Sequence, residues 1–239
     1  MKQKKVESDQ QFYENSWGQW DDMKSFGPSS RHVRRLILKM IKGLRFDTYL
    51  DAGCGVGTLL QDIHVHYPDA KLYGAEYSDS GTAIARQKNP NANICQLDLA
   101  KQTLPQKFDL VTCVDVLEHI VNDQNAMNHL YKMTSQYLLV VVPTGPLFEQ
   151  ERLSVGHVHG YSHSEVKTKL EKAGFKILKD MAWGFPLYTL YRRLVMNMPE
   201  ETTGGNFDWK KKVISEILYL LLFINLPFGG ERYYVLCSA

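Results

Sequence analysis

The sequence predicts an α/β fold in which a largely parallel sheet lies between layers of helices. From Thr48 onward, short aliphatic or β-branched runs alternate with helical patterns, which is typical of this class. Three alternate glycines, Gly53, Gly55 and Gly57, separate the first run from an amphipathic helix. The 239 residues, 44% hydrophobic and 23% charged, are sufficient for one such domain with a substantial core.

The predicted elements follow one another in a regular order. Strands are predicted at residues 48–51, 71–76, 94–97, 108–114, 137–142, 175–181 and 233–237. Helices are predicted near residues 58–66, 80–88, 123–134 and 162–173, the last of them ended by Gly174. Because the final strand follows the Gly229-Gly230 turn, we expect it to return antiparallel beside the sixth strand.

Two further segments flank or interrupt this pattern. Residues 1–45 are expected to form a helical cap, with an aromatic opening at residues 12–20 and a basic helix at residues 31–42. Residues 46–239 form the main domain, and residues 182–230 are too long for a hairpin loop. This insertion is rich in aromatic residues and has helical patterns near residues 187–196 and 208–223. We interpret it as a substrate lid, with a helical layer for packing or dimerisation as the alternative.

The glycine segment runs Asp51-Ala52-Gly53-Cys54-Gly55-Val56-Gly57 and predicts a ligand site at the end of the first strand. A sharp strand-to-helix turn that also leaves bare backbone for a ligand requires residues without Cβ. The pattern D-x-G-x-G-x-G differs from the dinucleotide fingerprint G-x-G-x-x-G. Together with the residues downstream, it resembles the first motif of the class I S-adenosylmethionine (SAM) dependent methyltransferases. The alternative is a tight turn with no ligand.

The acids that end the next two strands extend this resemblance. Glu76 lies 25 residues after Asp51, where a carboxylate can accept hydrogen bonds from both ribose hydroxyls. The resemblance implies that Tyr77 lies against the adenine and that Asp98-Leu99 reaches the adenine amino group. Packing is the alternative for Tyr77, and a surface position is the alternative for Asp98.

The fourth strand leads into Asp115-Val116-Leu117-Glu118-His119-Ile120, which resembles the fourth motif of the same family. The resemblance covers about residues 46–181 and implies a Rossmann-like seven-stranded methyltransferase sheet with an antiparallel last strand. It further implies that Asp51, Gly53, Gly55, Gly57 and Asp115 bind the cofactor, and that a methyl group passes from SAM to an acceptor, with S-adenosylhomocysteine as product.

A hydroxyl acceptor needs a nearby base, which makes histidines after the fifth strand informative. His157, in Gly156-His157-Val158-His159-Gly160, is the first candidate, and His119 is the second. Relatives often have one histidine at about this place, although capping or loop packing is an ordinary role for either. Similar enzymes fold an aromatic opening over the cofactor, which implies that Tyr13 or Trp17 closes the site.

The order Asp115-x-x-Glu118-His119 followed by a loop histidine is also similar to a metal-binding pattern. It occurs in small-RNA 3′-end methyltransferases and in some ubiquinone-pathway O-methyltransferases, where a divalent ion would orient an acceptor hydroxyl. Asp115 stands where those enzymes have a longer glutamate, and many metal-free relatives share V-L-E-H. We therefore expect no metal ligands, and a divalent ion is the alternative.

Composition argues against several other functions. The formal net charge of +2 gives no reason to expect nucleic acid binding. Four cysteines, Cys54, Cys95, Cys113 and Cys237, are scattered singly, which favours a reducing compartment over a disulfide framework. No signal-peptide pattern is evident, and the apolar stretch at residues 213–224 is shorter than the roughly 20 residues that cross a bilayer. We therefore expect a cytoplasmic protein, although an interfacial patch stays open.

The expected substrate is a small organic acceptor methylated at oxygen or nitrogen. The aromatic insertion favours an apolar or planar acceptor body, and Arg192 with Arg193 is expected to meet an anionic group. The alternatives are a noncatalytic SAM-binding scaffold and a nicotinamide-dependent oxidoreductase, which the glycine spacing disfavours. The sequence does not specify the oligomeric state, and a homodimer is one alternative.

Overall fold

Seven strands form a single mixed sheet in the computed structural model, which describes residues 9–149, 152, 155–196, 198 and 204–239. The strands are β1 (Thr48–Ala52), β2 (Lys71–Glu76), β3 (Ala92–Gln96), β4 (Phe108–Val114), β5 (Thr134–Pro143), β6 (Lys176–Trp183) and β7 (Arg232–Ser238). Their order across the sheet is β3-β2-β1-β4-β5-β7-β6. β7 runs antiparallel to both β5 and β6, while the other pairs are parallel. The predicted fold class and the reversed last strand are confirmed.

The helices lie close to their predicted positions. They are α1 (Asp9–Phe26), α2 (Pro28–Ile41), α3 (Thr58–His66), α4 (Asp79–Lys88), α5 (Asp123–Met133), α6 (His163–Lys172), α7 (Leu187–Met196) and α8 (Trp209–Leu221). Short 3₁₀ turns occur at Leu117–His119 and Leu222–Ile224. α2 begins earlier than predicted because Pro28 occupies its first turn, where the fixed φ of proline favours helix initiation.

The strands alternate their side chains between two apolar layers, as the pleat of a strand requires. On one face, Leu50, Val111 and Val140 pack in a cluster that includes residues of α5 and α6. On the other face, Tyr49 and Leu110 pack in a cluster that includes residues of α2 and α3. Both faces are therefore covered, and the carboxyl ends of β1, β2, β4 and β5 meet at one edge of the sheet, where ligands bind in such folds.

The insertion between β6 and β7 contributes α7 and α8 to different places. The start of α7 is held near β7 because Asn225 Oδ1 accepts hydrogen bonds from the backbone N–H groups of Leu187 and Tyr188, at 2.8 and 2.9 Å. α8 instead packs along α2, where Glu216 forms an ion pair with Arg31 at 2.6 Å. Residues 1–8 of the predicted cap and residues 197 and 199–203 of the insertion lie outside the described residues.

Two compositional expectations can be compared with the structure. All four cysteines are free thiols, in agreement with the expectation of no disulfide framework. Among the described helices, none combines the length and the apolar content needed to cross a bilayer.

Candidate active site

The turn between β1 and α3 is built from glycines in the left-handed region. Gly53, Gly55 and Gly57 have φ angles of +87°, +54° and +76°. A Cβ on Gly53 would overlap the side chain of Val116, and a Cβ on Gly57 would overlap that of Asn89. Gly53 and Gly57 therefore require glycine both for their conformation and for space, and Gly55 is confined in the same way by a third side chain.

Gly55 faces an aromatic side chain from α1. A Cβ at Gly55 would lie 2.5 Å from the Cη2 atom of Trp17, and a Cβ at Gly81 would lie 2.8 Å from its Nε1 atom. Trp17 is 8% exposed, so the indole is buried between the glycine turn and the start of α4. α1 thus covers the crevice into which the bare backbone of Gly55 faces.

Glu76 joins the glycine turn to the start of α4. Its Oε2 accepts a hydrogen bond from Gly55 N at 2.9 Å, and its Oε1 accepts bonds from the N–H and hydroxyl of Ser78, both at 3.1 Å. Burial raises the pKa of Glu76, while the bonds from Ser78 and Gly55 favour its charged form and limit that rise. The Trp17 indole N–H favours the charged form as well, although it forms no full hydrogen bond.

Asp51 lies at the end of β1 beneath the turn and is buried. Its Oδ1 accepts a hydrogen bond from Thr112 Oγ1 at 2.8 Å, and Thr112 Oγ1 is bonded to the Tyr49 hydroxyl at 2.6 Å. Burial raises the pKa of Asp51 to about 7, with a further contribution from the neighbouring charge of Glu76. The side chain therefore changes its charge near neutral pH.

The residues expected at the adenine occupy two different environments. Tyr77 and Tyr13 meet edge to face, with ring centroids 6.3 Å apart, at the crevice that α1 covers. Asp98 instead accepts a bond from Ala100 N at 3.0 Å and pairs with the exposed Lys101 at 2.9 Å. Leu99 is buried in the core beside α5. The structure therefore brings Tyr77 and Tyr13 together, while the side chains of Asp98 and Leu99 have local partners.

Asp115, directly after β4, has an unusual backbone conformation. Its φ angle of +55° is the one positive value among the described residues other than glycine, and such conformations cluster at functional sites. Its carboxylate pairs with Arg232, the first residue of β7, whose Nε donates to the Tyr188 hydroxyl at 2.8 Å. Burial acts to raise the pKa of Asp115, but the charge and hydrogen bond of Arg232, together with the charges of Lys24 and His157, outweigh burial and lower the pKa. Neither Arg232 nor Tyr188 was identified from the sequence as a site residue.

Glu118, His119 and His157 form a compact cluster next to Asp115. The Glu118 carbonyl accepts hydrogen bonds from the N–H groups of Val158 and His159, at 2.8 and 3.3 Å, which hold the histidine loop in place. His157 Nε2 lies 4.0 Å from Glu118 Oε1, and the His119 and His157 ring centroids are 4.8 Å apart. One potential ligand atom from each of the three residues lies within 4.8 Å of the others. The Tyr13 ring meets His119 edge to face at 5.8 Å.

Burial disfavours the charged form of all three side chains in the cluster. Burial raises the pKa of Glu118 to about 8, with a second contribution from Asp115. Burial lowers the pKa of His119 to about 4 and that of His157 to about 3, the latter with a contribution from His119. Neither carboxylate oxygen of Glu118 accepts a hydrogen bond from another described residue, although both are buried. Buried carboxylate oxygens require a hydrogen-bond partner, so a water, an ion or a ligand is expected beside Glu118.

Two other sequence candidates have structural partners. His159 donates from Nε2 to the Ile120 carbonyl at 2.9 Å, which fixes the loop. Arg192 is 6% exposed and donates to Glu231 at 2.8 Å and to the Thr144 carbonyl at 3.1 Å. The structure therefore commits Arg192 to an internal ion pair, and Arg232 is the guanidinium that it places beside Asp115.

Comparison with known proteins gives a family match. A family model described as a methyltransferase domain matches residues 24–180. Over 114 residues the chain is 26% identical to a ubiquinone biosynthesis O-methyltransferase of Hydrogenovibrio crunogenus. This alignment covers 44% of this chain and 46% of that protein. The chain spans about half the length of the curated relatives it matches.

Solved structures show the same fold. Phosphoethanolamine N-methyltransferase 2 of Haemonchus contortus, solved with SAM, aligns with a TM-score of 0.67 and 16% identity over 98% of this chain and 60% of that one. Magnesium protoporphyrin IX methyltransferase of Synechocystis, solved with S-adenosylhomocysteine, aligns with a TM-score of 0.55 and 18% identity over 91% and 85% of the two chains.

Proposed function

This chain belongs to the methyltransferase domain family and has the fold of the class I SAM-dependent enzymes, and from that membership we propose that it transfers a methyl group from SAM to a small organic acceptor. The methylated atom is an oxygen or a nitrogen. A nicotinamide-dependent activity is disfavoured because the chain has the D-x-G-x-G-x-G spacing and the reversed β7.

The cofactor crevice is proposed to lie over the glycine turn, between Asp51, Glu76 and Asp115. The backbone of Gly53, Gly55 and Gly57 lines it, with Tyr77 near the adenine and Asp98-Leu99 at its far end. Glu76 is the observation that carries this proposal, because a buried carboxylate that is held by Gly55 and Ser78 is oriented to accept hydrogen bonds from vicinal hydroxyls.

Isothermal titration with SAM and with S-adenosylhomocysteine tests this assignment. We expect Glu76→Ala to lose at least about tenfold in affinity, since a charge-assisted hydrogen bond contributes about 1.5–3 kcal/mol. Glu171→Ala, at an exposed position on α6, is the matched control and should bind normally. Equal affinity of the Glu76→Ala and Glu171→Ala variants would remove Glu76 from the cofactor site.

In the proposed reaction, the acceptor lone pair attacks the methyl carbon while the carbon–sulfur bond breaks. The sulfonium becomes a thioether, and the proton that the acceptor loses passes to His157 or, in second place, to His119. Alignment of the three reacting atoms supplies most of the rate, because the methyl group is already activated. Burial lowers the pKa of His157 to about 3, so the ring is neutral at physiological pH but holds a proton only weakly. A general base works best with a pKa near the working pH, so this role requires that the bound reactants raise the pKa of His157.

Substitution of the histidines distinguishes these roles. We expect His157→Ala to lower kcat by about 100-fold or more, which is the usual contribution of a general base, with little change in SAM affinity. His159→Ala, which removes a structural loop contact, is the comparison and should affect stability more than the pH profile. A His157→Ala enzyme with full turnover at every pH would exclude His157 as the base.

The distances within the same cluster favour a second candidate chemistry. Glu118, His119 and His157 offer one carboxylate oxygen and two imidazole nitrogens, which is a donor set suited to a divalent ion, and the Glu118 oxygens are buried and unpartnered. A bound ion would lower the pKa of an acceptor hydroxyl and orient it. Metal analysis of the purified protein, with turnover measured after chelation and after return of Mg²⁺, Mn²⁺ or Zn²⁺, decides between the base and the ion.

Residues 1–45 and 182–230 are proposed to close the site from two sides. Tyr13 approaches it from α1, and Tyr188 approaches it from α7 through its bond to Arg232. Trp17 of α1 lies against Gly55 and must move aside for the cofactor before this side can close. An aromatic enclosure of this kind suits a planar or apolar acceptor, and Arg232 supplies a positive charge beside it. Turnover measured over a panel of catechols, phenols and small amines, read as release of S-adenosylhomocysteine, tests this acceptor class.

A further inference from the structure

Helix α8 and the 3₁₀ turn at Leu222–Ile224 that continues it share an apolar face that points away from the protein. Val213, Ile214, Ile217, Leu220, Leu221 and Ile224 form this outer apolar surface, and each of them is at least 46% exposed. The opposite side of the helix carries Ser215 and Leu222, which are buried. The helix is therefore attached by one side and presents a second apolar side to its surroundings.

The spacing makes these side chains contiguous. Val213, Ile217, Leu220 and Ile224 follow one another at intervals of four, three and four residues, which places them along one line of a helix. A helix attached to a globular protein usually carries polar residues on its outer side. Contiguous exposed apolar surface is instead a mark of an interaction site.

Positive charge borders the outer apolar surface at one end. Lys210 and Lys212, both exposed, lie in the first turn of α8 beside Trp209, which is 70% exposed. Lys211 between them is half-buried and donates to the Gly204 carbonyl at 3.0 Å. The two nearby acids are engaged within the protein. Asp208 caps the helix by accepting a bond from Lys211 N at 2.8 Å.

Glu216 is the second of these acids, and its carboxylate pairs with Arg31 of α2. The border of the outer apolar surface is therefore cationic, with an aromatic ring that suits the boundary between headgroups and acyl chains.

From these features we propose that the outer apolar surface binds an anionic lipid bilayer, with α8 lying in the plane of the interface. Lys210 and Lys212 would lie at the headgroups and the apolar side chains among the acyl chains. A protein interface of similar size would carry hydrogen bonds across its area, whereas the outer apolar surface has no polar side chain to offer them. The proposal concerns attachment to a surface and is independent of the proposed methyl transfer.

Flotation of the full chain with vesicles tests this proposal. We expect the chain to float with vesicles of phosphatidylcholine and phosphatidylglycerol, and to float much less with phosphatidylcholine alone or at high salt. A variant with Ile214→Asp and Ile217→Asp should lose about tenfold or more in vesicle affinity. Val65→Asp and Val121→Asp, at positions 76% and 77% exposed elsewhere, form the matched control and should bind like the unmodified chain.

A second pair of variants separates the contribution of charge. Lys210→Gln with Lys212→Gln should weaken binding to anionic vesicles by about 30-fold, since each of the two lysines contributes about 1 kcal/mol at such a surface. Lys172→Gln with Lys176→Gln removes the same number of positive charges at exposed positions away from α8 and should have no effect on vesicle binding. Trp209 fluorescence, taken as the difference from Trp209→Phe, should shift to shorter wavelength on vesicle addition.

Three results would overturn the proposal. They are no flotation with anionic vesicles, equal binding by the α8 variants and their controls, or a homodimer in solution that Ile214→Asp and Ile217→Asp dissociate while vesicle binding is absent. Circular dichroism melting of every variant excludes unfolding as the cause of any loss.

Discussion

At the scale of single residues, the glycines of the first turn have the same backbone conformation for different local reasons. Gly53 is confined by Val116, Gly57 by Asn89 and Gly55 by Trp17. Gly43, between α2 and β1, has nearly the same φ angle as Gly53, +86° against +87°, but no atom lies within 4 Å of the place its Cβ would take. The chain therefore contains its own control for separating backbone strain from steric overlap.

Alanine at these two glycines should produce unequal losses of stability. Gly43→Ala is expected to cost about 1–2 kcal/mol, the usual strain of a left-handed residue with a Cβ. Gly53→Ala should cost a further 1–3 kcal/mol or so, because Val116 must move. Denaturant unfolding measures both free energies, and equal losses would show that Val116 is free to adjust.

Asp51 should make stability depend on pH. Its pKa of about 7 in the folded protein lies above the ordinary value of 3.8, so the folded protein holds a proton that the unfolded chain releases between these pH values. The free energy of unfolding should therefore fall as the pH rises from about 4 to about 7, and the contribution of the protonated carboxyl is lost above that range. Asp51→Asn, which keeps an acceptor for Thr112, should flatten this part of the profile.

Chemical denaturation at several pH values compares the two proteins. Parallel profiles for Asp51→Asn and the unmodified chain would mean that the carboxyl is not perturbed. Asp109→Asn is a useful contrast because hydrogen bonds from Thr48, Gln136, Asp47 and Ser135 outweigh burial and lower the pKa of Asp109 to about 2. The stability that Asp109 contributes is lost only as the pH falls below about 4.

At the scale of elements, α1 is attached to the same structure that would hold the cofactor. Glu14 accepts hydrogen bonds from the N–H groups of Asp79 and Ser80, at 2.6 and 2.8 Å, and so caps the start of α4. One turn further on, Trp17 lies on the glycine turn. Movement of α1 would therefore disturb the α4 cap and the cover of the crevice together.

Trp17→Ala should strengthen cofactor binding by about threefold to tenfold. The indole lies against Gly55, whose backbone the cofactor is proposed to approach, so the indole must move before the cofactor binds. Molecules in which the indole still covers Gly55 cannot bind the cofactor, and this lowers the apparent affinity. Calorimetry with S-adenosylhomocysteine measures the change. Phe26→Ala, on the last turn of α1 and against Phe207, is the control and should leave affinity unchanged. Weaker binding by Trp17→Ala would mean that the indole covers the bound cofactor instead.

At the scale of the whole molecule, patterns local in sequence were predictable and long-range contacts were not. Alternating strand and helix patterns predicted the sheet, its reversed last strand and the glycine turn. The pair of Arg232 and Asp115 joins β7 to the end of β4, 117 residues apart, and no local pattern encodes that contact. A signal was present, however, because a reversed strand begins at the edge where the parallel strands end, so a charged first residue such as Arg232 must lie there.

The burial of Glu118 was also beyond the sequence pattern. Its environment depends on the loop at residues 155–160, which folds back onto the 3₁₀ turn through the Glu118 carbonyl. The motif V-L-E-H indicated a site but did not show that burial raises the pKa of Glu118. The roles of Trp17 and Glu14 likewise depend on how α1 docks, which the aromatic spacing alone did not specify.

Ligand binding should stabilise the molecule as one unit. At about 100 times the dissociation constant, S-adenosylhomocysteine should add about 2.7 kcal/mol and raise the melting temperature by about 5–10 °C. At the same ligand concentration Glu76→Ala, with its affinity lowered about tenfold, should gain only about 1.4 kcal/mol and so show about half of this shift. A full thermal shift in that variant would contradict the assignment of Glu76 to the ribose.

The position of β7 between β5 and β6 constrains how the chain matures on the ribosome. β6 is synthesised before β7, its one neighbour among the described strands. The edge of β5 that pairs with β7 is also unpaired until β7 has been made. A nascent polypeptide that stalls within the preceding insertion would thus present two unpaired edges to chaperones and to other copies emerging on the polysome. Completion of the sheet must be a late event that follows translation of Arg232–Ser238.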